Sequence, residues 1–163
     1  MTGDTVAAAA ALHAQAGLPE AWDAGAFATL LAMPGAQGCL ALDPETGAPV
    51  GLALWRVAAD EAELLTICVS PASRRQGLGS VLLAAALDRV RARGAERMLL
   101  EVAADNGPAR SLYGAHGFQA CGLRPNYYRT TSGTVDAEIM IRDSLAAGSD
   151  ETSMPARRNS TDS

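Results

Sequence analysis

Residues 74–80 read Arg-Arg-Gln-Gly-Leu-Gly-Ser, with two guanidinium groups just ahead of two closely spaced glycines. The stretch before them, Leu64-Leu65-Thr66-Ile67-Cys68-Val69, is apolar and strand-like, and Pro71 stops it because proline cannot donate to a ladder. The stretch after them places Leu83, Leu87 and Val90 on one helical face. Gly77 and Gly79 let the backbone turn sharply and approach a ligand closely. A strand that enters a glycine turn and leaves as a helix directs several backbone N–H groups outward at a positive helix end, which suits phosphate. Arg74 and Arg75 add charge for phosphate oxygens. The run lacks the third glycine of a dinucleotide fingerprint and the Lys-Ser/Thr of a P-loop. A second chemical signal is Glu101, a carboxylate inside the apolar run Met98-Leu99-Leu100-Glu101-Val102. A charge there needs a reason, either acid–base work or an arginine partner.

Stepping outward, the pattern predicts a helix from Asp4 or Thr5 to about Gly17 and a second over 23–31, capped by Asp23. Strands are expected over 38–42 and 50–57, joined by the turn residues Asp43-Pro44-Glu45-Thr46-Gly47, and then over 64–69. The helix after the glycine turn connects to a strand over 98–102, which its continuous apolar run predicts to be buried on both faces. Strand, helix, strand in that order implies a parallel pair. Asn106 caps the next helix, which carries Leu112 and Tyr113 and ends at His116-Gly117. Residues 118–123 and 135–141 read as a final antiparallel pair, joined by a polar loop holding Tyr127, Tyr128 and Arg129.

The 163 residues suit one domain, expected over 1–143, with 144–163 as a disordered tail rich in Ser, Thr, Asp, Gly and Arg. A formal net charge of -5 argues against nucleic acid as a partner, and no apolar stretch is long enough to cross a membrane. Cys39, Cys68 and Cys121 form neither a disulfide framework nor a metal pattern, so no metal is expected and buried thiols in a cytoplasmic protein are the default. His13 and His116 read as surface or helix-end residues.

Further motifs narrow the reading. Leu100-Glu101-Val102 with Asn106, then Ser111-Leu112-Tyr113-Gly114-Ala115-His116-Gly117-Phe118, together with the Arg74-to-Gly79 turn, resemble the GNAT superfamily of N-acetyltransferases. Arg124-Pro125-Asn126-Tyr127-Tyr128 and Asp136-Ala137-Glu138-Ile139-Met140 resemble the branch of bacterial ribosomal-protein-alanine N-acetyltransferases and their N-terminal acetyltransferase relatives. The resemblance runs from about Trp22 to Ile141. It implies an α/β (α+β) GNAT fold, a mixed central sheet splayed at its middle with flanking helices. One departure stands out: only three residues precede Asp4, so the first strand usual in the family is expected to be missing or the start to be internal.

The resemblance also implies roles. The co-substrate is acetyl-CoA. Backbone groups of Ile67, Cys68 and Val69 hold its pantetheine and thioester. Arg74, Arg75, Gln76, Gly77, Leu78, Gly79 and Ser80 hold its pyrophosphate, and Asn106 bonds it beside the gap between two strands. Tyr113 serves as general acid and Glu101 as general base, acting through a water. Against these stand helix capping for Asn106, aromatic packing for Tyr113 and arginine pairing for Glu101. Tyr127 and Tyr128, with Trp22 on the opposite wall, line a peptide groove; Phe27 is equally at home in the core. An acyl-enzyme on Cys68 is the rival to direct attack in a ternary complex.

The reading is acetyl transfer to a protein N-terminus, above all the alanine of a ribosomal protein, by a cytoplasmic monomer or weak dimer. The alternatives are a GNAT enzyme acting on a small amine or an antibiotic, and a non-catalytic acyl-CoA-binding regulator.

Overall fold

The computed structural model describes residues 3–18 and 22–145. In chain order it contains α1 (Gly3–Gln15), α2 (Ala24–Ala32), β1 (Ala36–Leu42), β2 (Pro49–Ala58), β3 (Glu61–Val69), a 3-10 turn (Pro71–Ser73), α3 (Leu78–Ala92), β4 (Arg97–Ala103), α4 (Gly107–Ala115), β5 (Gln119–Thr130) and β6 (Gly133–Arg142). Local chemistry sets several of these bounds. Asp23 Oδ1 accepts from the Ala26 N–H at 2.8 Å and starts α2. Asn106 Oδ1 accepts from the Ala109 N–H at 3.2 Å and starts α4. Asp43 Oδ1 accepts from the Thr46 N–H, the Thr46 hydroxyl and the Glu45 N–H, which hold its carboxyl below its ordinary range and close the turn between β1 and β2. The first helix begins at Gly3, so both expected cap residues lie inside it. Among the described residues no strand precedes it.

The strands form one six-stranded sheet in the order β1-β2-β3-β4-β6-β5. Only β3 and β4 run parallel, as a helical crossover requires. Their ladder is short, from Glu61↔Arg97 to Leu64↔Leu100, and beyond it the strands part. At the same point the pairing on the other edge of β3 slips. Leu54 pairs with Thr66 and Trp55 with Leu64, leaving Leu65 as an extra residue. Such a bulge bends the strand and reverses which residues face which side. Accordingly Ala62 and Leu64 pack on one face, and past the bulge Cys68 packs on the other.

Each sheet face has its own core. Helices α3 and α4 bury Leu82, Leu83, Leu87, Val90 and Tyr113 against Trp55, Leu64, Leu100, Val102 and Met140. Helices α1 and α2 bury Leu12 and Phe27 against Leu52, Leu54 and Cys68. Each fully buried Leu or Phe contributes about 1.5–3 kcal/mol.

Four expectations change. In β4, Met98, Leu100 and Val102 are buried, but Leu99 and Glu101 are half-buried, so only one face is sealed. The segment holding Tyr127, Tyr128 and Arg129 is not a loop but the far half of β5, which runs on to Thr130. Three residues, 125–127, stand opposite Asp136 in a bulge, where Asn126 adopts φ 54° and its N–H donates to Asp136 Oδ1 at 2.8 Å. Leu145 is fully buried and its N–H donates to the Glu96 carbonyl at 2.8 Å, so packing continues two residues past 143. The remainder of the expected tail, 146–163, lies outside the described residues. Finally, His13 stands in the last turn of α1, at a helix end as expected, but it is buried rather than at the surface, and Cys121 is exposed where a buried thiol was expected.

Candidate active site

The chain between β3 and α3 is shaped by two left-handed residues. Arg75 has φ 63° and Gly77, the residue preceding the helix, has φ 77°. Gly77 caps α3 without a side chain and the first turn holds no acidic residue. The N–H groups of Leu78, Gly79 and Ser80 therefore open outward at the positive end of a fifteen-residue helix. That donor set fits a diphosphate, as the sequence suggests. A Cβ on Gly79 would lie 3.2 Å from Leu112 Cδ2, which keeps α3 and α4 close beside the turn.

Not every residue of the motif points at a ligand. Arg74 Nη2 donates to the Ala16 carbonyl at 2.6 Å and its Nε donates to the Val69 carbonyl at 3.3 Å. Its guanidinium thus binds protein at the end of α1 and the end of β3, where the sequence had suggested phosphate. Arg75 and Gln76 are exposed. Ser80 Oγ lies 2.7 Å from His116 Nε2, which joins the first turn of α3 to the end of α4. Burial, and then the charge of Arg142, lowers the pKa of His116.

Past Leu64 and Leu100 the parted strands leave a V. Ile67, Cys68 and Val69 pair with β2 along one edge of β3, while their other edge faces this opening. Side chains alternate along β4, so Glu101 points to the face opposite Leu100 and Val102. Those two share their core with Tyr113. Glu101 and Tyr113 therefore stand on opposite faces of the sheet, and the V is the passage between them. Asn106, at the head of α4, is held as its cap.

Tyr113 is almost wholly buried and meets Phe118 edge to face at 5.9 Å. Burial, helped by the neighbouring Tyr128, pushes its phenol above the ordinary range, so it keeps its proton at neutral pH. Cys68 packs against the α1–α2 side, where burial pushes its thiol up to about 12. A neutral thiol in that setting is a poor nucleophile.

The Glu101 face carries a groove of about 260 Å³ lined by Arg56, Glu61, Glu63, Leu99, Arg124 and Ile139 among others. Arg124 Nε lies 2.7 Å from Glu101 Oε1, and its guanidinium stands 5.6 Å from the centre of the Tyr127 ring. Tyr127 and Tyr128 meet edge to face at 5.0 Å. The structure thus brings Glu101 and Tyr127 together through Arg124. That arginine opens the Arg-Pro-Asn-Tyr-Tyr motif but was not assigned a role from sequence, because nothing local shows that β5 lies two strands from β4. Trp22 stacks on His13 at 4.8 Å, and its backbone N–H donates to His13 Nδ1 at 3.2 Å. Phe27 is core. Among the described residues no cluster of His, Cys, Asp or Glu could hold a metal ion, and no helix is long and apolar enough to cross a membrane.

The site thus combines a glycine turn opening α3, a splayed parallel pair, and a carboxylate and a phenol on opposite faces beside the opening. Residues 8–118 match the acetyltransferase (GNAT) family, and the chain belongs to it. The [ribosomal protein bS18]-alanine N-acetyltransferase of Escherichia coli (strain K12) is 43% identical over 96 residues, 59% of this chain and 65% of that protein. The match thus spans just under two thirds of that relative's length. The crystal structure of the ribosomal-protein-S18-alanine N-acetyltransferase from Escherichia coli superposes with a TM-score of 0.82 at 33% identity, covering 92% of this chain and 94% of that one. A phosphinothricin acetyltransferase from Sinorhizobium meliloti, solved in complex with AcCoA, shares the fold at 21% identity and a TM-score of 0.74, over 88% of this chain and 85% of its own.

Proposed function

We propose that this protein transfers the acetyl group of acetyl-CoA to the α-amine at a protein N-terminus, foremost the N-terminal alanine of a ribosomal protein, in the cytoplasm. The observation that carries the reading is the V between β3 and β4, with a carboxylate on one face and a protonated phenol on the other. The relatives named for ribosomal-protein alanine support the choice of acceptor.

Acetyl-CoA supplies the thioester. The amides of 78–80 bind its diphosphate, with Arg75 and Gln76 at hand, and the free edge of Ile67, Cys68 and Val69 lines the pantetheine path. Asn106 stands beside it. Glu101, through a water, removes the proton that the acceptor nitrogen sheds as its bond to the carbonyl carbon forms. Tyr113 gives its proton to the sulfur as the C–S bond breaks, and solvent restores it. Because Tyr113 stays protonated through neutral pH, its proton is in place when the thiolate, whose conjugate acid has a pKa of ~8.5, develops beside it. An α-amine with pKa ~8 is easier to neutralise than a lysine at ~10.4 by roughly 3 kcal/mol. One carboxylate is therefore better matched to a protein N-terminus. The neutral Cys68 favours direct attack over an acyl-enzyme.

The test is an acetylation assay with acetyl-CoA and peptides beginning Ala, Ser or Met, alongside free polyamines and an aminoglycoside. Mass spectrometry should find acetyl on the α-amine of the Ala peptide first. Preference for a small amine would replace the acceptor assigned here, and binding of acetyl-CoA without transfer to any acceptor would indicate a regulator.

A further inference from the structure

The groove below the V contains more than a base. The carboxylates on this side of the sheet are matched with guanidinium groups. Glu63 lies 3.4 Å from Arg56, Glu61 lies 2.8 Å from Arg97, and Glu101 lies 2.7 Å from Arg124, whereas Glu138, bound by Arg110, stands on the other face beside Val102. The Glu101–Arg124 pair, like that of Glu138 and Arg110, joins a sheltered carboxylate to a more exposed guanidinium, and here the guanidinium stands furthest into solvent. The Glu101 side chain is 25% exposed, whereas Arg124 is 55% exposed, the highest of any arginine in the five ion pairs among the described residues. A sheltered anion is thus satisfied by a cation that solvent could readily take back. Arg124 also has a second place to rest, the face of the Tyr127 ring 5.6 Å away. Its main chain stays fixed meanwhile by pairing with Ala137 on β6.

The reading of Glu101 as base requires its carboxylate to meet the acceptor nitrogen or a water beside it. Arg124 now occupies one of its oxygens. We propose that Arg124 is a specificity-determining residue that holds the place of the acceptor's ammonium against Glu101, so that only an acceptor bringing its own positive charge releases the carboxylate. The inference rests on the acetyl-transfer reading given above. Exchanging one cation for another leaves the charge at the site unchanged, so the half-buried carboxylate is never left unpaired. The displaced guanidinium passes to water and to Tyr127. A neutral end, such as an already acetylated terminus, offers Glu101 no replacement charge and leaves the pair closed. The device therefore selects against product as well as against uncharged competitors.

The experiment measures calorimetric binding of an Ala-starting peptide to the enzyme·CoA complex for wild type, Arg124→Gln, Glu101→Gln and the double variant. Removing the competitor should tighten the peptide roughly two- to five-fold in Arg124→Gln, the range expected for an exposed ion pair. In the Glu101→Gln background the same change should do nothing, because no carboxylate remains for Arg124 to hold. An affinity that is unchanged or weakened in Arg124→Gln overturns the inference, as does an equal gain in both backgrounds. Acetyl-CoA titration of each variant checks that the fold and the cofactor turn are intact. A wild-type enzyme that fails to bind CoA, or that acetylates no peptide, overturns the acetyl-transfer reading itself and the inference with it.

Discussion

Arg74 Nη2 donates to the carbonyl of Ala16 at 2.6 Å, joining the turn before α3 to the end of α1. The carbonyls at a helix end have no partner within the helix, and a cation there also opposes the negative pole. The same side chain reaches the Val69 carbonyl, so it braces the end of β3. Arg74→Ala should therefore cost about 1–2 kcal/mol, a fall in Tm of roughly 3–8 °C for a chain of this size. Arg75→Ala should spare Tm and weaken acetyl-CoA, because Arg75 is exposed beside the open amides. Thermal melts and acetyl-CoA titrations of the two variants check the division, and equal effects of both on acetyl-CoA would erase it.

Tyr113→Phe removes one hydroxyl from a packed ring. Acetyl-CoA affinity and Tm should stay near wild type, while turnover should fall roughly a hundredfold or more. Since burial raises the phenol's pKa, its loss of proton should set no limb in the pH–rate profile below about pH 10. Glu101→Gln should cut turnover comparably while leaving acetyl-CoA binding intact. Single-turnover kinetics of each variant measure both effects.

Cys68 lies beside the proposed thioester path with its thiol pushed up to about 12. Below that pH it is protonated, so thiolate chemistry is closed to it under ordinary conditions. Cys68→Ala should keep turnover within about two-fold, since no proposed step uses the thiol. Iodoacetamide should label the exposed Cys121 and leave Cys68 unmodified in the folded protein, as peptide mapping would reveal. Labelling of Cys68 first, or ping-pong kinetics in wild type, would reopen the acyl-enzyme path.

His116 joins α4 to Ser80 with its pKa lowered by burial and by Arg142. The unfolded chain thus takes up a proton at a higher pH than the native one. The contribution of His116 is complete above the unfolded value of ~6.5 and declines as pH falls through it toward the lower native value. Melts at about pH 7.5 and about pH 5.5 should show a smaller acid-induced drop for His116→Gln than for wild type.

Much of this molecule is legible locally. Asp23 and Asn106 each start a helix because a short side-chain oxygen meets an N–H three residues on, a relation that four residues contain. The turn from Val69 to Leu78 follows from proline, glycines and flanking periodicity. Glu101 stands out because a carboxylate interrupts an apolar strand.

What the chain order hides is who meets whom across it. Leu65 becomes a bulge only because β2 pairs around it, and that bulge accompanies the parting of β3 from β4 that makes the V. Arg74 binds Ala16 across 58 positions, a contact that no motif spacing contains. His13 is buried because Trp22 and Phe27 close over it. Arg124 reaches Glu101 because β6 lies between β5 and β4, an order decided by the assembled sheet. Residue types and short periods determined the turn and the caps of α2 and α4, since hydrogen bonds and sterics over a few residues suffice for those. Tertiary packing alone decided which charges are paired and where the sheet opens, since both depend on strands brought together from distant parts of the sequence.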